Sequence, residues 1–128
     1  MFDSVENGNE ESLRKVFSEN INVNTIDRRN QNTFLHYSVR ANKLEWVKKL
    51  VDKGANINHT NHLLQRPIDV AAMHGHAEIL KYFLNLKRID INEVDRDGYT
   101  VLRWAEECLQ IECAKILKEQ GATNPHKS

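Results

Sequence analysis

A pattern of about ten residues recurs along this chain at intervals of 33 or 34 residues. The segment Asn42–Val51 aligns with Gly75–Leu84 at an offset of 33, and the glutamate and apolar positions of the two segments coincide. Offsets of 34 align Leu109–Leu117 and Gly8–Phe17 with the same pattern. One such unit cannot bury its apolar side alone, so neighbouring copies must stack into a continuous core. The spacing therefore predicts a repeat protein.

Turn-rich segments and helix-start signals alternate between these copies. The turns follow the helical segments and lie at residues 21–24, 54–58, 89–92 and 121–125. A second set of helix starts follows the first three turns, at Thr33, at Arg66-Pro67 and at Thr100. Threonine favours the N-cap position, and proline favours the first helical position. Each complete copy is therefore predicted to hold two helices and one extended turn.

These features resemble the ankyrin repeat, which has a period of about 33 residues, a Thr-Pro-Leu-His-type helix start, and two antiparallel helices with a β-turn finger. The run Ala71–Leu80 is close to that pattern, and the resemblance covers roughly residues 2–125. It implies an all-α repeat solenoid of about four copies whose terminal copies are degenerate caps. We expect a single domain over 1–125, with copies at roughly 1–26, 27–59, 60–93 and 94–125 and a tail at 126–128.

The apolar positions of the repeated segment predict the core between copies. These positions are Val16, Phe17, Trp46, Val47, Leu50, Ile79, Leu80, Phe83, Ile116 and Leu117. Cys113 shares such a core position, whereas Cys108 falls where the family faces its partner. We expect both cysteines to be free thiols in a reducing compartment, because two cysteines five residues apart on a helix point in different directions.

Composition and charge disfavour several classes of function. Lys plus Arg and Asp plus Glu both number 18, so no net field attracts nucleic acid or an anionic membrane. The chain opens with acidic residues where a signal peptide needs basic ones, and it contains no apolar run of membrane-spanning length. We therefore expect a cytoplasmic protein that is a monomer by itself, with no nucleic-acid or membrane partner.

No arrangement of residues predicts catalysis or cofactor binding. His59, His62, His74 and His76 cluster in sequence but lack the spacing of a zinc site, and the glycines are scattered singly rather than forming a phosphate loop. The resemblance implies that His36 hydrogen-bonds Thr33 or the next copy. We therefore expect no catalytic, metal or cofactor-binding residues.

The resemblance also implies where a partner would bind: on the finger tips and on the exposed side of the first helix of each copy. Carried over residue by residue, this selects Arg28, Arg29, Gln31, Tyr37 and Arg40, then His62, Leu63, Gln65, Met73 and His74, and finally Arg96, Asp97, Tyr99, Trp104 and Glu107. Tyr99 and Trp104 are the strongest candidates, because these residue types dominate interface hot spots. Two alternatives to partner binding remain. The first finger can be interpreted as a solvated turn, and Leu64 of the second finger as a side chain that folds inward.

The expected function is non-enzymatic binding of another protein on the concave face. Because the chain appears as the repeat array alone, we expect it to act by occupying its partner, as an inhibitor, an immunity-type protein or an adaptor. The blocked partner could be a toxin or an enzyme. A nucleic-acid or small-metabolite binder, and an enzyme with an unrecognised site, remain the alternatives.

Overall fold

The computed structural model describes residues 10–123, and within this range the secondary structure is helical. Seven helices follow in chain order: α1 Glu10–Ser18, α2 Phe34–Arg40, α3 Leu44–Asp52, α4 Pro67–His74, α5 Ala77–Asn85, α6 Val101–Glu107 and α7 Ile111–Glu119. The described residues form no strand, and an isolated antiparallel bridge joins Ile26 to Thr33. The all-α repeat prediction is confirmed.

The chain divides into two compact units at the bond between Pro67 and Ile68. Unit 1 contains α1 to α3, unit 2 contains α5 to α7, and α4 begins at the last residue of unit 1. The single domain and its four copy boundaries stay predictions. The first nine residues of the first copy, the end of the last copy and the tail at 126–128 lie outside the described residues.

The helix starts follow the local chemistry that the sequence predicts. The Thr33 side chain caps α2 by accepting a hydrogen bond from the backbone N–H of His36, and His36 Nδ1 accepts from the backbone N–H of Thr33. Thr100 caps α6 in the same way by accepting from the backbone N–H of Arg103 at 3.2 Å. Helix α4 begins at Pro67, whose missing N–H is not needed at that position. All three predicted starts are confirmed.

Left-handed backbone conformations mark the repeat more strictly than the residue types do. Among residues 10–123, every residue with a positive φ belongs to one of three series spaced by 33 or 34 residues. The series are Asn20, Gly54, Lys87 and Gly121 after the second helix, Gln31, Leu64 and Gly98 in the finger, and Asn42, Gly75 and Leu109 between the paired helices. The backbone therefore repeats even where glycine has been replaced.

Leu109 is the clearest case of strain in these series. Its φ is 58°, a conformation that costs a leucine roughly 1–2 kcal/mol, and its side chain is 83% exposed. We expect Leu109→Gly to raise the free energy of unfolding by about 0.5–1 kcal/mol, because relief of strain exceeds the entropy that glycine adds to the unfolded chain. Chemical denaturation monitored by circular dichroism measures this change.

Ile111 supplies the matched control for this variant. It is 82% exposed and begins α7, so it loses as little buried area as Leu109. Ile111→Gly should lower the free energy of unfolding by a few tenths of a kcal/mol, since glycine has poor helix propensity. Equal destabilisation by both substitutions would show that the left-handed conformation of Leu109 carries no cost.

Asparagine side chains tie successive turns together inside each unit. In unit 1, Asn24 Oδ1 accepts from the Asn56 N–H at 2.8 Å, and Asn24 Nδ2 donates to the Gly54 carbonyl. In unit 2, Asn92 Oδ1 accepts from the Thr123 N–H at 2.8 Å, and its Nδ2 donates to the Gly121 carbonyl. The same pair of bonds thus sets the spacing between turns in both units.

The predicted core is largely confirmed. Val16, Trp46, Val47 and Leu50 are buried in unit 1, and Ile79, Leu80, Phe83 and Leu117 are buried in unit 2. Phe17 and Ile116 are only half-buried, which corrects their assignment. Cys113 is buried as predicted, Cys108 is half-buried, and both are free thiols.

Candidate functional site

A buried carboxylate organises the first finger, which connects α1 to α2. Asp27 is 3% exposed, and its Oδ2 accepts hydrogen bonds from the Tyr37 hydroxyl and from Arg29 Nη2, both at 2.6 Å. Its Oδ1 accepts from the backbone N–H of Arg29 at 3.0 Å. The Asn30 side chain also donates to the Tyr37 oxygen. These bonds fix the finger against its own helix.

The same contacts shift two pKa values. Hydrogen bonds from the Arg29 side chain, and more weakly from Tyr37, hold the pKa of Asp27 well below its usual value despite the opposing effect of burial. Burial, together with the neighbouring Asp27, raises the pKa of Tyr37. Asp27 is therefore ionised and Tyr37 neutral throughout the physiological range.

This geometry corrects the placement of two predicted partner-binding residues. Tyr37 is fully buried, because its hydroxyl reaches back to Asp27 instead of pointing outward. Gln65 is 8% exposed, and its side-chain oxygen accepts a hydrogen bond from Asn61 Nδ2. Neither side chain is available to a partner in this conformation.

The other predicted residues of unit 1 lie at its surface. Arg28, Arg29, Gln31, Arg40, His62 and Leu63 are exposed, and Leu63 is the most exposed large apolar side chain in the described part of unit 1, at 55%. Leu64 is half-buried and occupies the left-handed finger position, where the turn favours glycine. His62 is held in place, since its Nδ1–H donates to the Asn30 carbonyl at 2.8 Å.

His36 links the start of α2 to the second finger. Its Nε2–H donates to the Gln65 carbonyl at 2.9 Å, while its Nδ1 lies 2.8 Å from the Thr33 hydroxyl. Both bonds confirm the predicted role of His36. Burial lowers the pKa of His36 to about 4, an effect that the Gln65 carbonyl only partly offsets. The ring is therefore neutral at physiological pH.

In unit 2, the third finger and α6 bring aromatic and charged side chains together. The ring centroids of Tyr99 and Trp104 are 4.8 Å apart, and the Arg103 guanidinium lies 4.3 Å from the centroid of the Tyr99 ring. Arg103 Nε also lies 3.4 Å from Glu107 Oε1. Tyr99 and Trp104 are half-buried. We call the residues Arg96, Asp97, Tyr99, Arg103, Trp104 and Glu107 the third-finger surface.

The remaining predicted residues of unit 2 have mixed exposure. Arg96, Asp97 and Glu107 are exposed at the third-finger surface. At the end of α4, His74 is exposed and its ring stacks on that of His76 at a centroid distance of 6.0 Å. Met73 is half-buried, and its carbonyl accepts a hydrogen bond from Gln110 Nε2.

The sequence interpretation missed the residues that anchor the three fingers, namely Asp27, Asn61 and Asp95. Each accepts the N–H of the left-handed finger residue at its backbone carbonyl. Each also accepts the N–H of the residue two positions later at its side-chain oxygen. Their even spacing of 34 residues, and the known preference of Asp and Asn for such turns, were the signal that could have found them.

A recess of about 580 Å³ is lined by residues of α6, of α7 and of the loop between them. Its apolar lining comes from Ala105, Leu109, Ile111 and Ala114, and its charged lining includes Lys115. Leu109 and Ile111 are the two most exposed large apolar side chains among residues 11–123. This face therefore competes with the third-finger surface as a place for a ligand.

The described residues contain no group of three His, Cys, Asp or Glu side chains arranged to hold a metal ion. Across residues 10–123, no helix has the length and apolar character needed to cross a bilayer.

In comparisons with known proteins, this chain is similar to members of one family. The family model described as ankyrin repeats (many copies) matches residues 39–84. The human transient receptor potential cation channel subfamily A member 1 is 35% identical over 97 residues, which cover 76% of this chain and 9% of the channel. Ankyrin repeat protein OPG189 of vaccinia virus (strain Western Reserve) is 33% identical over 84 residues, covering 66% of this chain and 15% of the viral protein.

A third relative is alpha-latrotoxin-Lhe1a of Latrodectus hesperus, which is 34% identical over 74 residues. This match covers 57% of the chain and 5% of the toxin. In all three relatives, the chain therefore spans a small part of a much longer protein.

Proposed function

Because the chain belongs to the ankyrin-repeat family, we propose that it binds a partner protein through the third-finger surface of unit 2. Ankyrin repeats generally mediate protein–protein interactions, and the family is generally non-enzymatic. The observation that carries the proposal is the stack of Arg103, Tyr99 and Trp104. Half-buried aromatic side chains of this kind offer contact area at low entropic cost.

The stack is also preorganised for binding. Tyr99 is fixed through its backbone, because its N–H donates to Asp95 Oδ1 at 3.0 Å. Trp104 is fixed by its place on α6 and by the contact of its ring with Tyr99. A partner would lose little free energy in ordering these side chains, which favours affinity. The exposed Arg96, Asp97 and Glu107 would supply a polar rim around the aromatic centre.

In this proposal, binding is itself the action of the chain. It would occupy a surface of its partner, and so act as an inhibitor, an immunity-type protein or an adaptor in the cytoplasm. The partner would be a toxin or an enzyme that is blocked while the complex lasts. The exposed residues Arg28, Arg40 and Leu63 of unit 1 are the further contacts that we propose.

Replacing Tyr99 and Trp104 together by alanine tests this proposal. The partner is first isolated by screening a displayed library of the source organism's proteins against the wild-type chain, and its affinity is then measured by calorimetry. We expect the double variant to bind at least about 30-fold more weakly, because a hot-spot residue contributes about 2 kcal/mol or more.

The matched control is the double variant Leu109→Ala with Ile111→Ala, which removes two apolar side chains from the recess on α6 and α7. It should bind the partner with unchanged affinity. Thermal unfolding of both variants establishes that they are folded at the temperature of the measurement. Weaker binding by the control, with full affinity in the Tyr99 and Trp104 variant, would contradict the proposal.

Small-metabolite binding is the second candidate function, and the recess on α6 and α7 favours it. Its volume of about 580 Å³ lies in the range of small-molecule sites, roughly 300–1,000 Å³. A metabolite bound there would shift the amide resonances of Ile111 and Ala114 in a ligand-library screen by NMR. No shifts at these amides across the library would remove this candidate.

A further inference from the structure

The third finger and its helix α6 differ from the equivalent parts of the first two fingers. At the first, fifth and ninth positions after the left-handed finger residue lie an aromatic ring, a cation and a carboxylate, namely Tyr99, Arg103 and Glu107. The equivalent residues are Asn32, His36 and Arg40 after the first finger, and Gln65, Asp69 and Met73 after the second. Helices α2 and α4 form without the combination found in α6. The packing of the repeat therefore does not require this combination, which leaves it available for binding.

Arg103 lies at the surface, whereas its equivalents are buried. His36 is 1% exposed and Asp69 is 3% exposed. The Arg103 side chain is 32% exposed, and its guanidinium carbon lies 4.3 Å from the centroid of the Tyr99 ring. A guanidinium within about 6 Å of an aromatic centroid is attracted by the negative face of the ring. This face of Tyr99 is therefore able to hold a cation, and here the cation is the chain's own.

Two contacts hold Tyr99 independently of Arg103. The ring centroid of Trp104 lies 4.8 Å from that of Tyr99. The backbone N–H of Tyr99 donates to Asp95 Oδ1 at 3.0 Å. Because neither contact involves the guanidinium, the ring keeps its place when Arg103 moves away. The cation-binding face is therefore preformed.

Arg103 is held weakly over this face. Its Nε lies 3.4 Å from Glu107 Oε1, which is longer than the roughly 2.7–2.9 Å of a good charge-assisted hydrogen bond. The Glu107 side chain is 52% exposed, and ion pairs at such sites contribute little stability. A guanidinium that arrives from outside is not tied to the backbone of α6. It can therefore stack on Tyr99 and also present two parallel N–H groups to the Glu107 carboxylate.

The chemistry of this site selects one kind of side chain. An aromatic face attracts a cation, and a carboxylate accepts paired N–H groups from a planar guanidinium but not from a lysine ammonium. The exposed Arg96 and Asp97 of the same finger carry opposite charges, so together they add no net charge. We propose that Tyr99 and Glu107 form a binding site for an arginine side chain of the partner protein, and that Arg103 covers this site in the free chain.

The inference rests on the proposed function for the source of the arginine, but the site can be tested without the partner. Nα-acetyl-arginine amide is the probe. The citrulline derivative is its neutral isostere, and the lysine derivative carries the same charge on an ammonium. Each is titrated at fixed ionic strength into the ¹⁵N-labelled chain, with the Tyr99 and Glu107 amides as reporters.

We expect saturable shifts with the arginine probe and about fivefold weaker binding of the other two, which lose the charge or the planar fork. Shifts with the arginine probe that grow linearly without saturation would overturn the proposal. Equal affinity for the citrulline probe would show that no cation is recognised, and equal affinity for the lysine probe would show that the guanidinium shape is not recognised. Either result would also overturn the proposal.

A variant without the covering side chain tests the role of Arg103. Arg103→Gln should bind the arginine probe about fivefold more tightly than the wild type, because no internal cation competes for Tyr99 and Glu107. Arg88→Gln is the matched control, since it removes the same charge from an exposed position between α5 and the third finger. It should leave the affinity for the probe unchanged. Unchanged or weaker binding by Arg103→Gln would overturn the covering role.

Removing the aromatic face locates the probe. Tyr99→Leu, introduced together with Arg103→Gln, keeps an apolar side chain but loses the face that attracts the cation. It should abolish the response of the Glu107 amide to the arginine probe, and thermal unfolding establishes that this variant is folded. A saturable response that persists at full affinity would overturn the site.

The site and the proposed function can fail separately. If the Tyr99 and Trp104 alanine variant loses its partner while the arginine probe binds neither the wild type nor Arg103→Gln, the proposed function stands and the arginine site is overturned. If the probe binds as expected while the alanine variant keeps full affinity for the partner, the guanidinium site is supported and the proposed function is overturned.

Discussion

Replacing Trp46 by alanine is expected to lower the free energy of unfolding by about 3–5 kcal/mol. Trp46 is 6% exposed in α3, and the centroid of its ring lies 5.6 Å from that of Phe17 on α1. Lys49 Nζ also lies over the indole, 4.5 Å from the ring centroid. The substitution would remove these contacts and leave a cavity that the surrounding helices fill only in part. Thermal unfolding should show a midpoint lower by roughly 10–20 °C.

Leu63→Ala is the matched control in the same unit. Leu63 is 55% exposed on the second finger, so its truncation should change the free energy of unfolding by less than about 0.5 kcal/mol. A midpoint for Trp46→Ala that equals that of the wild type would remove Trp46 from the core. Equal losses in the two variants would show that burial does not determine stability at these positions.

The second large effect is a loss of stability as pH falls from about 6.5 to about 4, caused by His36. Burial lowers the pKa of His36 to about 4 in the folded chain, whereas the unfolded chain has the ordinary value near 6.5. Between these values the unfolded chain binds more protons, so acid favours unfolding. The full contribution of about 3 kcal/mol is present above pH 6.5 and is lost on acidification. Urea unfolding at a series of pH values measures it.

His36→Gln is the control, since glutamine retains a donor for the Gln65 carbonyl and does not titrate. This variant should be less stable than the wild type at neutral pH and should show a much shallower decline between pH 6.5 and 4. Asp27 affects the free energy of unfolding in a different pH range. Because the pKa of Asp27 is lowered in the folded chain, its contribution to stability is present above the unfolded pKa near 4 and is lost only as the pH falls below that value. If the free energy of unfolding declines equally steeply between pH 6.5 and 4 in the wild type and in His36→Gln, His36 is not the cause of the decline.

The sequence predicted the features that depend on local chemistry and on periodicity. Thr33, Pro67 and Thr100 begin helices where their side chains predict, because capping involves only the next few residues. Apolar periodicity likewise identified buried Leu50 and Leu80. These features could be predicted because the information lies within one copy of the repeat.

The features that could not be predicted depend on tertiary contacts or on the backbone geometry of the repeat. Tyrosine is a residue type that is common at interfaces. The hydroxyl of Tyr37, however, donates a hydrogen bond to Asp27, ten residues earlier, and the ring is therefore buried. Leu64 and Leu109 adopt left-handed conformations that their residue type disfavours, because the repeat backbone requires them. In each case the tertiary contact or the repeat geometry outweighs the local preference.

For the candidate site, the sequence named Tyr99 and Trp104, and the structure adds Arg103 and Asp95 to their surroundings. Arg103 was not among the residues that the resemblance selects for partner binding. Its contact with Tyr99 could not be predicted, because it depends on the side-chain conformation that the ion pair with Glu107 supports. Whether this surface binds a partner is the central question.

Amide hydrogen exchange of the chain, free and in complex with its isolated partner, answers that question most directly. We expect slower exchange on binding at residues 95–104, which contain the third finger and the start of α6. The recess formed by residues 105–119 of unit 2 serves as the internal comparison, because it is the other apolar face of that unit. Protection confined to residues 105–119, with unchanged exchange at 95–104, would show that the partner does not bind at the third-finger surface.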